Sequence, residues 1–211
     1  GPMLFDPLVS AWGLEGLFYI IGTAYALTVV TLMMMRTDGH KVAATSKTAI
    51  GGLLQGFAYL RHQKSISSVI ILGITFGLFG TSFDTLLPVF TEEVFTGGSD
   101  IYGQLLLGAG IGGLTVTTVI TLIGKRVRPA LYLTVAGLGV GATQLTFARI
   151  DVLSLAMLVA GIIGGFKVVL GVMNTTVIQT LVDEEFRGRV MSISQLTWGA
   201  SALGGLLMGY L

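Results

Sequence analysis

The sequence holds no cysteine, which rules out disulfides, thiolate nucleophiles and cysteine-ligated metals. Charge is nearly as scarce. Asp, Glu, Lys and Arg make up 11% of the 211 residues, against roughly a quarter in an ordinary soluble domain. A water-soluble fold of this length could not cover its surface with so few polar side chains. The net charge of +1 supplies no basic face of the kind nucleic acid demands, so no nucleic-acid partner is expected. His40 and His62 are the two histidines, and they lie in a polar stretch without metal-ligand spacing. No HExxH, GxSxG or phosphate-loop pattern occurs, so neither an enzyme nor a bound cofactor is expected. The opening Gly1-Pro2-Met3 lacks the basic and apolar regions of a signal peptide.

What is present is apolar: 53% of residues are hydrophobic and the mean hydropathy is +0.85. A helix needs about 20 such residues to cross a hydrocarbon core of about 30 Å. Uncharged runs of suitable length occur at Leu17–Met35, Ile66–Phe83, Tyr102–Gly124, Pro129–Ala148, Val152–Val182 apart from Lys167, and Val190–Leu211. The expected fold class is therefore all-α, a polytopic membrane bundle of six transmembrane helices. Glu15 reads as an interface residue before the first run.

Basic residues cluster in alternate connections: Arg36 to Lys64 between the first and second runs, Lys125 to Arg128 between the third and fourth, and Arg187 and Arg189 between the last two. One consistent topology, with these connections cytoplasmic and the N-terminus outside, follows from the excess of Lys and Arg on cytoplasmic loops. In the first connection, Ile50, Leu53, Leu54, Phe57 and Leu60 recur at helical spacing. That predicts an amphipathic helix lying in the interface, with Thr37–Ser46 as linker before it.

Glycine numbers 31, and pairs four apart fall inside the runs: Gly73 and Gly77, Gly108 and Gly112, Gly137 and Gly141, Gly161 and Gly165, Gly205 and Gly209. Small residues at that spacing let membrane helices approach closely. Gly108–Gly113 also fits GxGxxG, but no strand precedes it and the context is an apolar helix, so packing is the reading taken.

Two charges interrupt the apolar pattern. Lys167 sits at the middle of Val152–Val182, where a lysine costs roughly 2.5–3.5 kcal/mol on insertion scales and needs a partner. Helical arithmetic puts Gly164, Gly171 and Asn174 on its face. Asp84 closes a stripe of Gly73, Gly77 and Gly80, reading equally as a cavity residue and as an interface residue. Asp84 also comes within reach of an extended lysine, so a purely structural Lys–Asp pair competes with a functional one.

The stretch Val182-Asp183-Glu184-Glu185-Phe186-Arg187-Gly188-Arg189-Val190-Met191-Ser192 closely resembles the major facilitator superfamily, in particular its bacterial drug and siderophore exporter branch related to the enterobactin exporter. There such a stretch joins the tenth and eleventh helices. Gly51–Arg61 resembles the interfacial helix before the seventh span, Leu87-Pro88-Val89-Phe90 that span's outer end, Tyr102-Gly103 the start of the eighth, and Asn174 through Gln179 the inner half of the tenth. Gly124–Pro129 keeps the basic character of the eight-to-nine loop but lacks its acid.

The resemblance implies that the chain covers part of a twelve-helix fold. Residues 1–35 would be the end of helix five and helix six, 36–65 a cytoplasmic linker, and 66–211 helices seven to eleven. It implies a cavity bordered by Asp84, Lys167, Asn174 and Gln195, with Gln195 on a stripe with Ser192, Gly199 and Ala202, and a cytoplasmic gating loop carrying Arg187 and Arg189. The expected function is proton-coupled efflux of small amphiphilic molecules or siderophores by alternating access, from a multi-pass position in the bacterial inner membrane. The expected partners are a small-molecule substrate, the lipid bilayer and the missing N-terminal half. A non-transporting membrane scaffold or partner subunit is the alternative.

Overall fold

A computed structural model describes residues 5–34, 49–95, 99–123 and 129–210. The linker Thr37–Ser46 and the basic loop Lys125–Arg128 lie outside the described residues. The described elements are helical: α1 (Phe5–Met34), α2 (Ala49–His62), α3 (Lys64–Thr75), a π-helical turn (Phe76–Gly80), α4 (Ser82–Phe95), α5 (Ser99–Ile123), α6 (Pro129–Phe147), α7 (Leu153–Leu181), α8 (Glu184–Ser194) and α9 (Leu196–Tyr210). The chain divides into two compact units, Gly1–Lys47 and Thr48–Leu211.

In the first unit α1 contains the predicted run from Leu17, but it is two helices joined at Gly13, whose φ of 69° breaks the helical path. That left-handed conformation is open to glycine and strained for other residues. Beyond the break, the hydroxyls of Thr23, Thr28 and Thr31 each donate to the carbonyl four residues back. Those three hydroxyls then need no water, as a helix in lipid requires.

The second unit is built around α7. Its 29 residues are mostly apolar, with Lys167, Asn174 and Gln179 among the exceptions, and three buried clusters succeed one another along it. Ala156, Ala160 and Ile163 meet Leu87, Leu105 and Phe147 at one end. Val169, Leu170, Met173 and Val177 meet Leu133, Ala136 and Val140 of α6 in the middle. Ile178 joins Leu60, Ile66, Ile70, Val190 and Ile193 at the other end. Leu122, Leu138 and Leu145 are more than 70% exposed, which in lipid places apolar side chains against apolar solvent.

Among the described residues, four helical stretches are long and apolar enough to cross a membrane: Lys64–Phe95, Asp100–Ile123, Pro129–Phe147 and Leu153–Leu181. The other two predicted spans, within α1 and across α8 and α9, are also helical. The apolar part of α1, Phe18–Met34, is shorter than these four. The predicted span Val190–Leu211 is divided between α8 and α9 by one turn residue, Gln195, whose backbone stays helical at φ −66° and ψ −18°. There the Ser194 hydroxyl donates to the Met191 carbonyl at 2.7 Å, a local bond that competes with the helical ladder.

The segment predicted as an interfacial helix is helical, as α2, and it docks on α8. A Cβ at Gly56 would lie 2.8 Å from Ile193 Cδ1, so a side chain here would have to push the end of Ile193 aside. Tyr59 stacks on Phe186 with centroids 4.5 Å apart, and its hydroxyl donates to Asp183 Oδ2 at 3.1 Å. Leu54 and Phe57 remain exposed away from this contact. The α2–α3 corner closes on one carbonyl: Leu60 O accepts from Gln63 N at 3.0 Å and from Ser67 Oγ at 2.5 Å.

Candidate functional site

Lys167 has fourteen residues of α7 on either side, about 21 Å of helix in each direction. Its ammonium cannot reach the end of such a helix. It meets Asp84 instead, Nζ lying 2.7 Å from Oδ1, and it also lies 5.1 Å from the Phe83 ring centroid. The long reach across helices is possible because α4 brings Asp84 to α7 through an irregular approach. Phe76–Gly80 is a π turn, closed by the Thr81 N–H donating to Phe76 O at 3.2 Å. Four residues beyond Asp84, Pro88 brings no N–H to the Asp84 carbonyl. The helical ladder is thus interrupted on both sides of the carboxylate, and such π turns are frequent at functional positions.

The extra residue in that turn rotates the helix beyond it, so the predicted glycine stripe is divided. Gly73, Gly77 and Asp84 line one cavity, whereas Gly80 is buried against its own Phe76 ring and its carbonyl accepts from Gln144 Nε2 of α6 at 3.0 Å. A similar division holds on α7. Gly171 and Asn174 share the cavity with Lys167, but Gly164 faces α5, where its Cβ would collide with the Ala109 carbonyl.

The cavity has a volume of about 470 Å³, within the range that holds drug-sized molecules. Asp84, Lys167, Asn174 and Gln195 all line it. Asn174 also ties α7 to α3, donating from Nδ2 to Val69 O at 3.1 Å. Gln195 reaches the cavity from the turn between α8 and α9, not from the predicted stripe: Ser192 and Gly199 are exposed and outside the lining, and Ala202 lines an adjoining outer groove that shares Thr81, Asp84, Trp198 and Ser201 with the cavity. Ser194, Trp198 and Ser201 complete that wall.

Sequence reasoning missed Thr81, Phe83, Gln144, Trp198 and Gly204. Gly204 lets α9 touch the π turn, since a Cβ there would collide with the Leu78 carbonyl. The neighbouring Gly205, predicted with Gly209 as the packing pair, makes a looser approach to Thr85, and Gly209 faces open space.

Arg187 and Arg189 are helical residues of α8, not members of a loop. Arg189 lies over the Phe186 ring at 5.1 Å. The Nε of Arg187 is buried and has no hydrogen-bond partner among the described residues. No group of three or more His, Cys, Asp or Glu suited to a metal occurs among those residues either.

The sequence profile described as "Transmembrane secretion effector" matches residues 1–211. The Staphyloferrin A transporter of Staphylococcus aureus is 30% identical over 149 residues, 70% of this chain and 36% of that protein. The multidrug efflux pump Tap of Mycolicibacterium fortuitum is 21% identical across 99% of this chain and 52% of that protein. Tap of Mycobacterium tuberculosis is 22% identical across 99% of this chain and 51% of that protein. The chain therefore spans about half, or less, of the length of these relatives. No solved structure matches it.

Proposed function

The chain belongs to the transmembrane secretion effector family, a set of major facilitator proteins, and on that premise we propose that it forms the cavity-bearing part of a secondary active exporter. Its substrates are small amphiphilic molecules or siderophores, and its functional kin are in the enterobactin-exporter branch. The exporter sits in the bacterial inner membrane and works by proton-coupled alternating access, its halves rocking about a midplane site. Residues 1–35 belong to the first half of a twelve-helix transporter, 36–65 bridge the halves and 66–211 belong to the second. The further helices of the first half face Asp84, Lys167, Asn174 and Gln195 across the cavity. Arg187 and Arg189 hold one state closed at the cytoplasmic surface. The unpartnered Nε of Arg187 supports a partner beyond the described residues, because buried polar atoms seldom stay unbonded.

The observation that carries this reading is the ion pair at the midpoint of α7, set in the wall of a cavity of about 470 Å³. Intramembrane charges of this kind mark substrate and ion pathways. The full-length protein reconstituted in proteoliposomes should move a siderophore or a lipophilic dye uphill when a proton gradient is imposed. Lys167→Met should remove that flux while the protein still inserts. Equal movement of every compound with and without the gradient would sink the reading.

A further inference from the structure

Four hydroxyls line the cavity, those of Thr81, Thr175, Ser194 and Ser201. Each gives its proton to a carbonyl of its own chain: Gly77 at 2.6 Å, Gly171 at 3.0 Å, Met191 at 2.7 Å and Trp198 at 2.6 Å. A hydroxyl has one proton and two lone pairs, so all four meet a guest as acceptors.

The two charges are not equally available. The Asp84 side chain is 58% exposed and that of Lys167 is 19% exposed, and the ammonium engages Oδ1 of the carboxylate. Asp84 also lines the outer groove, together with Trp198 and Ser201, so it is reachable from both spaces. An anion in the cavity would face these lone pairs and the more exposed carboxylate, with only the Gln195 amide, the Trp198 indole and a mostly covered ammonium in its favour. A cation with an apolar body would meet acceptors, an open carboxylate and the aromatic rings of Phe76 and Trp198, which suit it.

We propose that the cavity takes lipophilic organic cations at Asp84, and that Lys167 is a tethered occupant of the same carboxylate which the guest displaces. The use of this site for export rests on the transporter reading above; the binding itself does not. In the empty state the lysine spares the membrane interior an unpaired carboxylate. On binding, one cation replaces another, so the carboxylate is never left bare. The displaced ammonium has a second place to rest, because it already lies within cation–π range of Phe83.

The test uses two ions of matched shape and opposite charge, tetraphenylphosphonium and tetraphenylborate, titrated calorimetrically into the purified full-length protein in uncharged detergent. Wild type should bind the phosphonium and should bind the borate at least about tenfold more weakly, a comparison that needs no variant. Removing the resident competitor with Lys167→Met should tighten phosphonium binding about tenfold, since affinity scales with the fraction of competent sites. Asp84→Asn should weaken it by a similar factor or more.

Preferred binding of the borate, weaker phosphonium binding by a folded Lys167→Met protein, or no binding of either ion by wild type would each overturn the proposal. Gradient-driven transport by a protein that binds neither ion would overturn only the cation site. Phosphonium binding with the expected variant pattern but no gradient-driven transport would overturn only the exporter.

Discussion

Helix α7 meets α5 on one side and faces the cavity wall of α3, the π turn and α4 on another, and the two sides are built on different principles. Against α5, backbone lies on backbone. A Cβ at Gly112 would collide with the Gly161 carbonyl, one at Gly164 with the Ala109 carbonyl, and one at Gly108 would lie 2.6 Å from the Met157 carbonyl. This seam has dispersion and close fit to hold it, which is how membrane helices associate without a hydrophobic driving force. On the cavity side, polar side chains hold the elements: Lys167 to Asp84, Asn174 to Val69 O, and Gln144 of α6 to Gly80 O. A contact made by interlocked backbones has one geometry; a contact made by a few charged and amide groups can be exchanged for another. The difference teaches that the seam is the fixed frame and the cavity wall the part able to change partners.

The largest effect should come from breaking the frame. Gly112→Leu forces side-chain atoms into the Gly161 carbonyl, and overpacking of this kind costs about 1–3 kcal/mol or more. Thermal unfolding in detergent should show a large loss of stability. An unchanged unfolding temperature would mean the seam is not a frame at all.

Gly204→Ala should come next. Its new methyl meets the Leu78 carbonyl, but the neighbouring π turn is irregular and can yield, so a cost toward the lower end of about 1–3 kcal/mol is expected. Transport should suffer more than stability, because this contact borders the elements that carry Asp84. A variant as unstable as Gly112→Leu would erase the proposed difference between frame and wall.

The frame was more legible in the sequence than the wall. Runs of about 20 uncharged residues announce membrane helices through the cost of burying charge, and the spacing of Gly108, Gly112 and Gly161 carries the seam. Lys167 and Asp84 were legible for the same reason, each being conspicuous where charge is expensive. The π turn was not, because it is defined by a backbone bond from Thr81 N to Phe76 O and no residue type specifies that bond. Without it the stripe ending at Asp84 includes Gly80, which in fact turns toward Gln144. The turn at Gln195 was hidden for a related reason, since Val190–Leu211 is uncharged throughout and composition does not register a carbonyl shared between the Ser194 hydroxyl and the Gln195 N–H. Periodicity also does not separate Gly204 from Gly205, although one residue is about 100° around a helix.

A smaller effect should come from Gln144→Leu, which removes the amide that holds Gly80 O. Interhelical hydrogen bonds in membranes average about 0.6 kcal/mol and reach about 1.7, so stability should fall by about that much. The sharper readout is hydrogen exchange of the π turn, which should quicken while exchange across α5 and α7 stays as it was. Quickening on both sides would mean that the wall and the frame open together.

The smallest effect should come from Thr81→Val, and it separates what holds the wall from what the wall presents. The Thr81 hydroxyl donates to Gly77 O at 2.6 Å, a bond within one helical turn, and valine keeps the branched shape at Cβ. Because the Thr81 N–H goes to Phe76 O, Gly77 O relies on this hydroxyl, and the loss should be about 0.5 kcal/mol, the lower end of what one hydrogen bond contributes. What does disappear is an acceptor beside Asp84, since Thr81 lines both the cavity and the outer groove. Binding of a cationic probe should weaken by a few fold with stability little changed. A large stability loss with binding intact would assign Thr81 to holding the π turn together, and the cavity side would then resemble the seam more closely than its polar contacts suggest.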